Sequence, residues 1–517
     1  MANRFADPLY QLIHSLEKAE KRNFKLYIKR NSAKEDLKII QLFDALDKLN
    51  EYDEKLLLKK LPGIEKPQLS NLKTHLYKQI LASLRLLKSN ENIEMQLAEQ
   101  LDYARILYNK GLYLQSLKIL DRVNELAQQH SQDTVLIQAI SLEKKIETLH
   151  ITRSTLSRIE QLASEAIEVH ERRHTIVQLS NLALLLYNWY VKNGNARNEK
   201  DETAVKEFFY THLPANAHEQ KGFYERLYLY QSYSWFAFIR QDFLMYYRYS
   251  QKWVDLFTEK EHMIAVETGH YIKGMHNLLN AHFDLRNYKQ FKITLNAFEA
   301  FAASDIANRH DSFKVQTFVY LYTAKINQHF MHGTFQEGLS LVPFIEEKLN
   351  EYALFLDTHR VLVFNYKIAT LFFGNGDYET CIDYLQKIIN DPVDLRYDLQ
   401  GYARLVHLLA HYELGNFTII EHLIRSVYRF MAKMESLTVI DEEIFKFLRQ
   451  SFNLTKQRLK PELELFLQRI RQHEKNRFAT RAFAYLDILS WVESKVYQKT
   501  MSEVIHAKYK KSKRRIE

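Results

Sequence analysis

His170-Glu171-Arg172-Arg173-His174 places two histidines four residues apart, with a glutamate beside the first. On a helix such a pair shares one face, where neutral imidazoles can hold a zinc ion and the carboxylate can act as general base. A catalytic zinc needs a third protein ligand, and the next acidic residue is Glu199, beyond a turn expected at Gly194. Glu168, Glu171, Arg172 and Arg173 instead form a solvated, charge-paired helix face. His407 and His411 repeat the spacing near Glu413, but among Leu405, Leu408 and Leu409 they are expected to pack rather than to ligate. The single cysteine, Cys381, falls where a small buried side chain belongs, so thiol catalysis has little support. There is no Gly-rich phosphate loop, nucleophile elbow or kinase signature. The expectation is a protein without catalytic residues, cofactor or metal, and not an enzyme.

Two groups of residues suit binding. From Tyr224 to Trp253, 12 of 30 residues are Phe, Tyr or Trp, interleaved with Arg226, Arg240, Arg248 and Lys252. Such a surface could stack bases. The preferred account is that helices buried on two faces use aromatics to fill both, with Tyr224, Tyr228, Trp235 and Phe238 on one stripe. Near the amino terminus, Lys18, Arg22, Lys25 and Lys29 line one helical face that could follow a phosphate backbone. The tail adds Lys508, Lys510, Lys511, Lys513, Arg514 and Arg515. The plain alternative for both is solvation of an outer face. A helix-turn-helix over Asp53–Leu87, reading with Gln68, Ser70, Asn71, Lys73 and His75, has a loop too long for the usual tight turn.

The elements that position these residues are helices. Only 12 glycines and 7 prolines occur in 517 residues, too few for the turns of an all-β or α/β chain. Hydrophobic residues make up 46% and charged residues 26%, a composition that folds. Met1–Tyr10 lacks a basic and then apolar leader, and the apolar run Leu182–Val191 is too short to span a bilayer. With one cysteine nothing requires an oxidising compartment, so a cytoplasmic protein is expected. The net charge of +9 is uneven: residues 1–90 hold 18 basic against 11 acidic residues, and residues 508–517 hold six against one. Electrostatic attraction should act at the ends.

Along the chain a break recurs between amphipathic segments: Gly111-Leu112-Tyr113, Gly333-Thr334-Phe335, Gly376-Asp377-Tyr378 and Gly415-Asn416-Phe417. Arginine-led variants end at Phe243 and Tyr288. The last five aromatics are spaced by 45, 47, 43 and 39 residues, the period of a helical array. Turns at Thr152-Arg153-Ser154 and Asn193-Gly194-Asn195 fill the gap between 113 and 243. Glycine closes one helix in the left-handed conformation, and the aromatic opens the next and packs back.

On these residues the chain resembles the tetratricopeptide (TPR) repeat proteins. Ala369, Phe372, Gly376, Tyr378 and Cys381 occupy the family's small and aromatic positions in order, and Ala104, Leu107, Gly111, Tyr113 and Ser116 do so earlier. Around Gly333 the pattern keeps Phe335 and Gly338, whereas Ile420, Tyr246 and Phe291 stand where small residues belong in other units. The period exceeds the roughly 34 residues of the family, so longer helices and an irregular pitch are expected. The zinc-peptidase signature that His170–His174 resembles has uncharged residues where this chain has Arg172 and Arg173. The TPR resemblance implies an all-α, right-handed superhelical α-solenoid of helical hairpins preceded by a small helical domain. The divisions expected are a basic helical domain at 1–90, the TPR-like array at 91–430, capping helices at 431–507 and a disordered basic tail at 508–517. It implies a cytoplasmic protein–protein interaction scaffold holding a peptide or protein in a concave face. The alternative is a regulator that binds DNA or RNA through the basic ends.

Overall fold

Each break in the sequence is a helix end closed the same way. In the computed structural model, Gly111, Gly333, Gly376 and Gly415 have φ between 71° and 85°. The next N–H reaches back to the carbonyl five residues earlier, as in Asp377 to Phe372 (3.0 Å) and Asn416 to His411 (3.1 Å). This is the Schellman closure, which satisfies carbonyls that a helix end leaves without partners. The arginine-led variants use the same geometry without glycine: Gln241 (φ 57°) and Arg286 (φ 50°) take the left-handed position. Asp242 then bonds to Ala237 (2.9 Å) and Asn287 to His282 (2.9 Å).

The structure describes residues 7–30, 36–61, 66–88, 92–150, 156–391, 397–434, 437–451, 454, 456–474, 476, 478 and 486–512. Among them all regular structure is helical, and no helix is long and apolar enough to cross a membrane. The turn expected at Thr152–Ser154 and the basic residues Lys513, Arg514 and Arg515 lie outside the described residues. The chain divides into two compact units, with the boundary between Arg173 and His174.

The first unit holds two separate apolar clusters. One gathers Ile13, Phe24, Leu42, Phe43, Leu57, Leu76 and Ile80, the other Leu97, Ala104, Leu117, Val123, Ala139 and Ile146. Residues 8–30 form two helices, Pro8–Ser15 and Lys18–Arg30. Leu16 turns to extended backbone, and the Glu17 N–H bonds to the Glu20 carboxylate at 2.9 Å.

In the second unit successive helices pack on their neighbours: Phe223–Ile239 on Phe243–Glu259, Thr268–Asp284 on Tyr288–Ala302 and Asp311–His332, Thr358–Asn375 on Tyr378–Ile389, and Tyr397–Glu413 on Phe417–Lys433. The small residues are close-approach points. Ala369 and Cys381 are fully buried, and a Cβ on Gly374 would collide with the Phe335 ring. Phe417 packs back only in part: its ring meets Tyr412 edge-on at 6.1 Å, yet it stays 46% exposed.

The C-terminal helices do more than close one end. Ile488–Val496 sets the buried Trp491 against Tyr412 and Phe447, and its Nε1–H donates to Glu413 Oε1 at 2.6 Å. Met501–Lys511 then returns to the turn after Asp311–His332. There Ser502 Oγ–H donates to the Gly333 carbonyl, and Tyr509 lies 4.9 Å from Tyr288 and 4.4 Å from His332. The tail expected to be disordered from Lys508 is therefore helical as far as Lys511, because the Tyr509 ring is anchored on the array.

Candidate functional site

The residues singled out for chemistry are placed as follows. His170 and His174 are exposed on the helix Leu156–Asn193, and the imidazole of His170 turns back on the Ala166 carbonyl (2.7 Å). Arg172, between them, forks onto Asp133 with 2.7 and 2.9 Å bonds. His407 and His411 stand ring to ring at 4.5 Å, and burial, then His411 and Arg404, hold His407 down to about 4. Glu413, the nearest carboxylate in sequence, turns to Trp491 and Lys495. Among the described residues no group of three His, Cys, Asp or Glu side chains could hold a metal ion. Burial raises the Cys381 thiol far above its ordinary value, so it stays protonated. The remaining repeat residues are helix-end or packing positions, with Tyr113 stacked on His150 at 3.7 Å and Phe372 on Tyr384 at 5.6 Å.

The aromatics from Tyr224 to Trp253 are packed, and none is exposed. Phe209 stacks on Phe236 at 4.1 Å and Tyr233 on Tyr249 at 4.2 Å, joining neighbouring helices ring to ring. The helix-turn-helix reading is corrected at Lys73, which is half-buried and bonded to Asp7 and to the Tyr52 hydroxyl (2.9 Å). The basic stripe is divided. Lys18, Arg22 and Lys29 are exposed, and Lys25, partly buried, is ion-paired with Asp44 at 2.6 Å. At the other end Lys508 bonds to Glu493 (2.7 Å) and Ser490 (2.8 Å), so it belongs to the C-terminal packing rather than to a free tail.

The constellation that sequence reasoning missed lies on three successive first helices of the second unit. From Thr268–Asp284 come Lys273, His276, Asn280 and Asp284; from Asp311–His332 come Tyr320 and Asn327; from Thr358–Asn375 come Arg360 and Lys367. The His276 ring stacks on Tyr320 at 4.0 Å, and the Lys273 ammonium stands 5.1 Å from the centre of the same tyrosine ring. Asn280 Nδ2 lies 3.0 Å from His276 Nε2, so a donating amide leaves the imidazole proton on Nδ1. Lys367 Nζ donates to Asn327 Oδ1 at 2.6 Å and stands 5.5 Å from the Phe330 ring centre.

These side chains are enclosed by protein, yet all but the buried Asn327 keep part of their surface accessible. Burial pushes the Asp284 carboxyl up to about 7, against the pull of Arg286 and Lys367. It brings the Lys367 ammonium down to about 8, against Asp284. Burial and then the charges of Lys273, Lys367 and Arg360 hold His276 well below the usual histidine range. Ionisable groups kept half out of water are costly unless they are paired, and they cluster at sites that bind or react. The one sequence signal was the polar series His276, Asn280 and Asp284 at four-residue steps, on a helix that also carries Lys273, Asn277 and His282.

Fold and site together define an all-helical protein of stacked helices with a polar, cation-rich seam across the first helices of its second unit. No family model matches the chain, and no curated protein or solved structure matches it.

Proposed function

We propose that this protein is a cytoplasmic interaction scaffold whose TPR-like helix pairs form a right-handed superhelical solenoid, binding a protein or peptide along the face lined by the first helices. The observation that carries this reading is the half-enclosed polar seam from Lys273 to Lys367, assembled from three successive first helices. A solenoid presents such a seam as one continuous surface, and an extended chain laid across it meets each helix in turn. Lys273, Arg360 and Lys367 surround His276, Lys367 also acts on Asp284, and Asp357 lies 3.3 Å from Arg360, so the cations of the seam suit an acidic stretch of the partner. Reaction chemistry has less support, since the thiol of Cys381 is buried and His170 and His174 have Arg172 and Arg173 between them.

The test is a native pull-down with the full-length protein and a Lys273→Ala/Arg360→Ala variant, each with and without nuclease. Both substitutions lie at half-buried positions and should leave the fold intact by circular dichroism. A protein retained after nuclease by the wild type and lost by the variant supports the reading. An identical set of retained proteins with both would overturn it.

A further inference from the structure

The helix Lys18–Arg30 carries six basic residues and one acidic residue. The acidic one, Glu20, is buried and ion-paired with Lys88 at 2.6 Å, so it does not offset the outer face. At 100° per residue, Lys18, Arg22, Lys25 and Lys29 fall within an arc of roughly 60° and span about 16 Å of helix axis. With Lys21 and Leu26 they line a shallow depression of about 400 Å³.

The charges are fixed in place. Phe24 and Ile28, 1% and 3% exposed, anchor the adjoining side of the helix in the core of the first unit. Lys21 is tied to Asp47 at 2.7 Å and Lys25 to Asp44 at 2.6 Å, and the Lys25 ammonium stands 5.5 Å from the Phe43 ring centre. These two lysines form the inner edge of the stripe, while Lys18, Arg22 and Lys29 stand exposed.

The stripe's regularity indicates its partner. A phosphate backbone is a regular line of charge, one per about 3.4 Å of axis on each strand, so this length of helix faces about five phosphates of one strand. An acidic helix face could match the spacing, but a nucleic-acid strand carries charge at every step along its length. A lipid surface is disfavoured for another reason. A helix lying on a bilayer buries a broad apolar face, but here the apolar residues Phe24 and Ile28 are taken by the core and Leu26 is the one apolar residue lining the depression.

We propose that the first unit binds nucleic acid along the Lys18–Lys29 face, through the phosphate backbone and without reading bases. A face made of cations positions a strand but carries no base code. This site is separate from the seam of the second unit, and it does not depend on the scaffold reading. Lys508 is engaged by Glu493, so the proposal assigns no part of the contact to the C-terminal helix.

The experiment is fluorescence anisotropy of labelled mixed-sequence single-stranded and duplex oligonucleotides with the full-length protein, across a salt series. Four phosphate contacts predict a log–log salt slope of about −3 to −4. Lys18→Ala/Arg22→Ala/Lys29→Ala should flatten the slope to about −1 and weaken binding at least tenfold at low salt. Lys18→Arg/Arg22→Lys/Lys29→Arg, which keeps the charge, should retain the wild-type slope, separating charge from any fault in folding. Absence of binding at low salt, or an alanine variant with an unchanged slope, overturns the proposal. Binding to phosphatidylserine vesicles but not to either oligonucleotide overturns it as well.

Discussion

Glu143 shows how this chain keeps charge inside a helical stack. Its side chain is fully buried, and its carboxylate meets Arg158 at 2.7 Å and Asn124 at 3.3 Å. Removing only the cation strands a buried anion, so Arg158→Met should lower stability by about 3–5 kcal/mol. Adding Glu143→Leu should recover most of that loss in urea melts, and a single variant as stable as wild type would disprove the dependence. Asp284 and Lys367 make a pH-dependent case. Between pH 4 and about 7 the folded Asp284 keeps a proton that the unfolded carboxyl has lost, so stability falls as pH rises. Between about 8 and 10.5 the folded Lys367 has lost a proton that the unfolded lysine keeps, so stability rises. Thermal melts across pH should show a dip between about 7 and 8 that Asp284→Asn/Lys367→Met flattens. The same dip in the double variant would assign it to other groups.

At the scale of elements, the repeated unit is a helix end as much as a helix pair. Gly376 takes the left-handed position freely, whereas Gln498 takes it at φ 53° with an exposed side chain. Left-handed backbone costs a non-glycine residue about 1 kcal/mol, so Gln498→Gly should stabilise the protein by about that much. A fall in melting temperature would show that the glutamine side chain contributes to the C-terminal packing. Gly374 is constrained the other way. Phe335 packs directly against its backbone, and Gly374→Ala should cost about 1–3 kcal/mol through overpacking. A melt indistinguishable from wild type would mean that the Phe335 ring moves aside freely.

For the second unit as a whole, the C-terminal segment is a tie. Trp491 and Lys495 hold the Glu413 carboxylate, Arg286 approaches Asp487 at 3.9 Å, and Ser502 and His506 bond to the carbonyls of Gly333 and His332. The bonds of Ser502 and His506 join residues 169 and 174 positions apart, and those to Glu413 span 78 and 82. Deleting residues 486–517 should leave Glu413 buried without partners, expose the Trp491 site and increase dye binding to apolar surface, with a lower melting temperature. An unchanged melt would mean that the array is stable without its return segment.

The helical class and the places where helices end were legible from residue types alone, because closure is local chemistry. A glycine two residues before an aromatic meets its conformational requirement within one turn, as at Gly376 and Tyr378. The basic stripe from Lys18 to Lys29 was legible for the same reason, since its spacing is a property of one helix. What a single helix does not contain had to come from tertiary structure. Lys367 reads like any lysine until Asn327 and Asp284 are brought to it from two other helices. Lys25 and Lys508 read as free cations until Asp44 and Glu493 meet them. Spacing along a chain sets which side chains share a face, but a group's charge state and accessibility depend on neighbours distant in sequence, and packing alone supplies those.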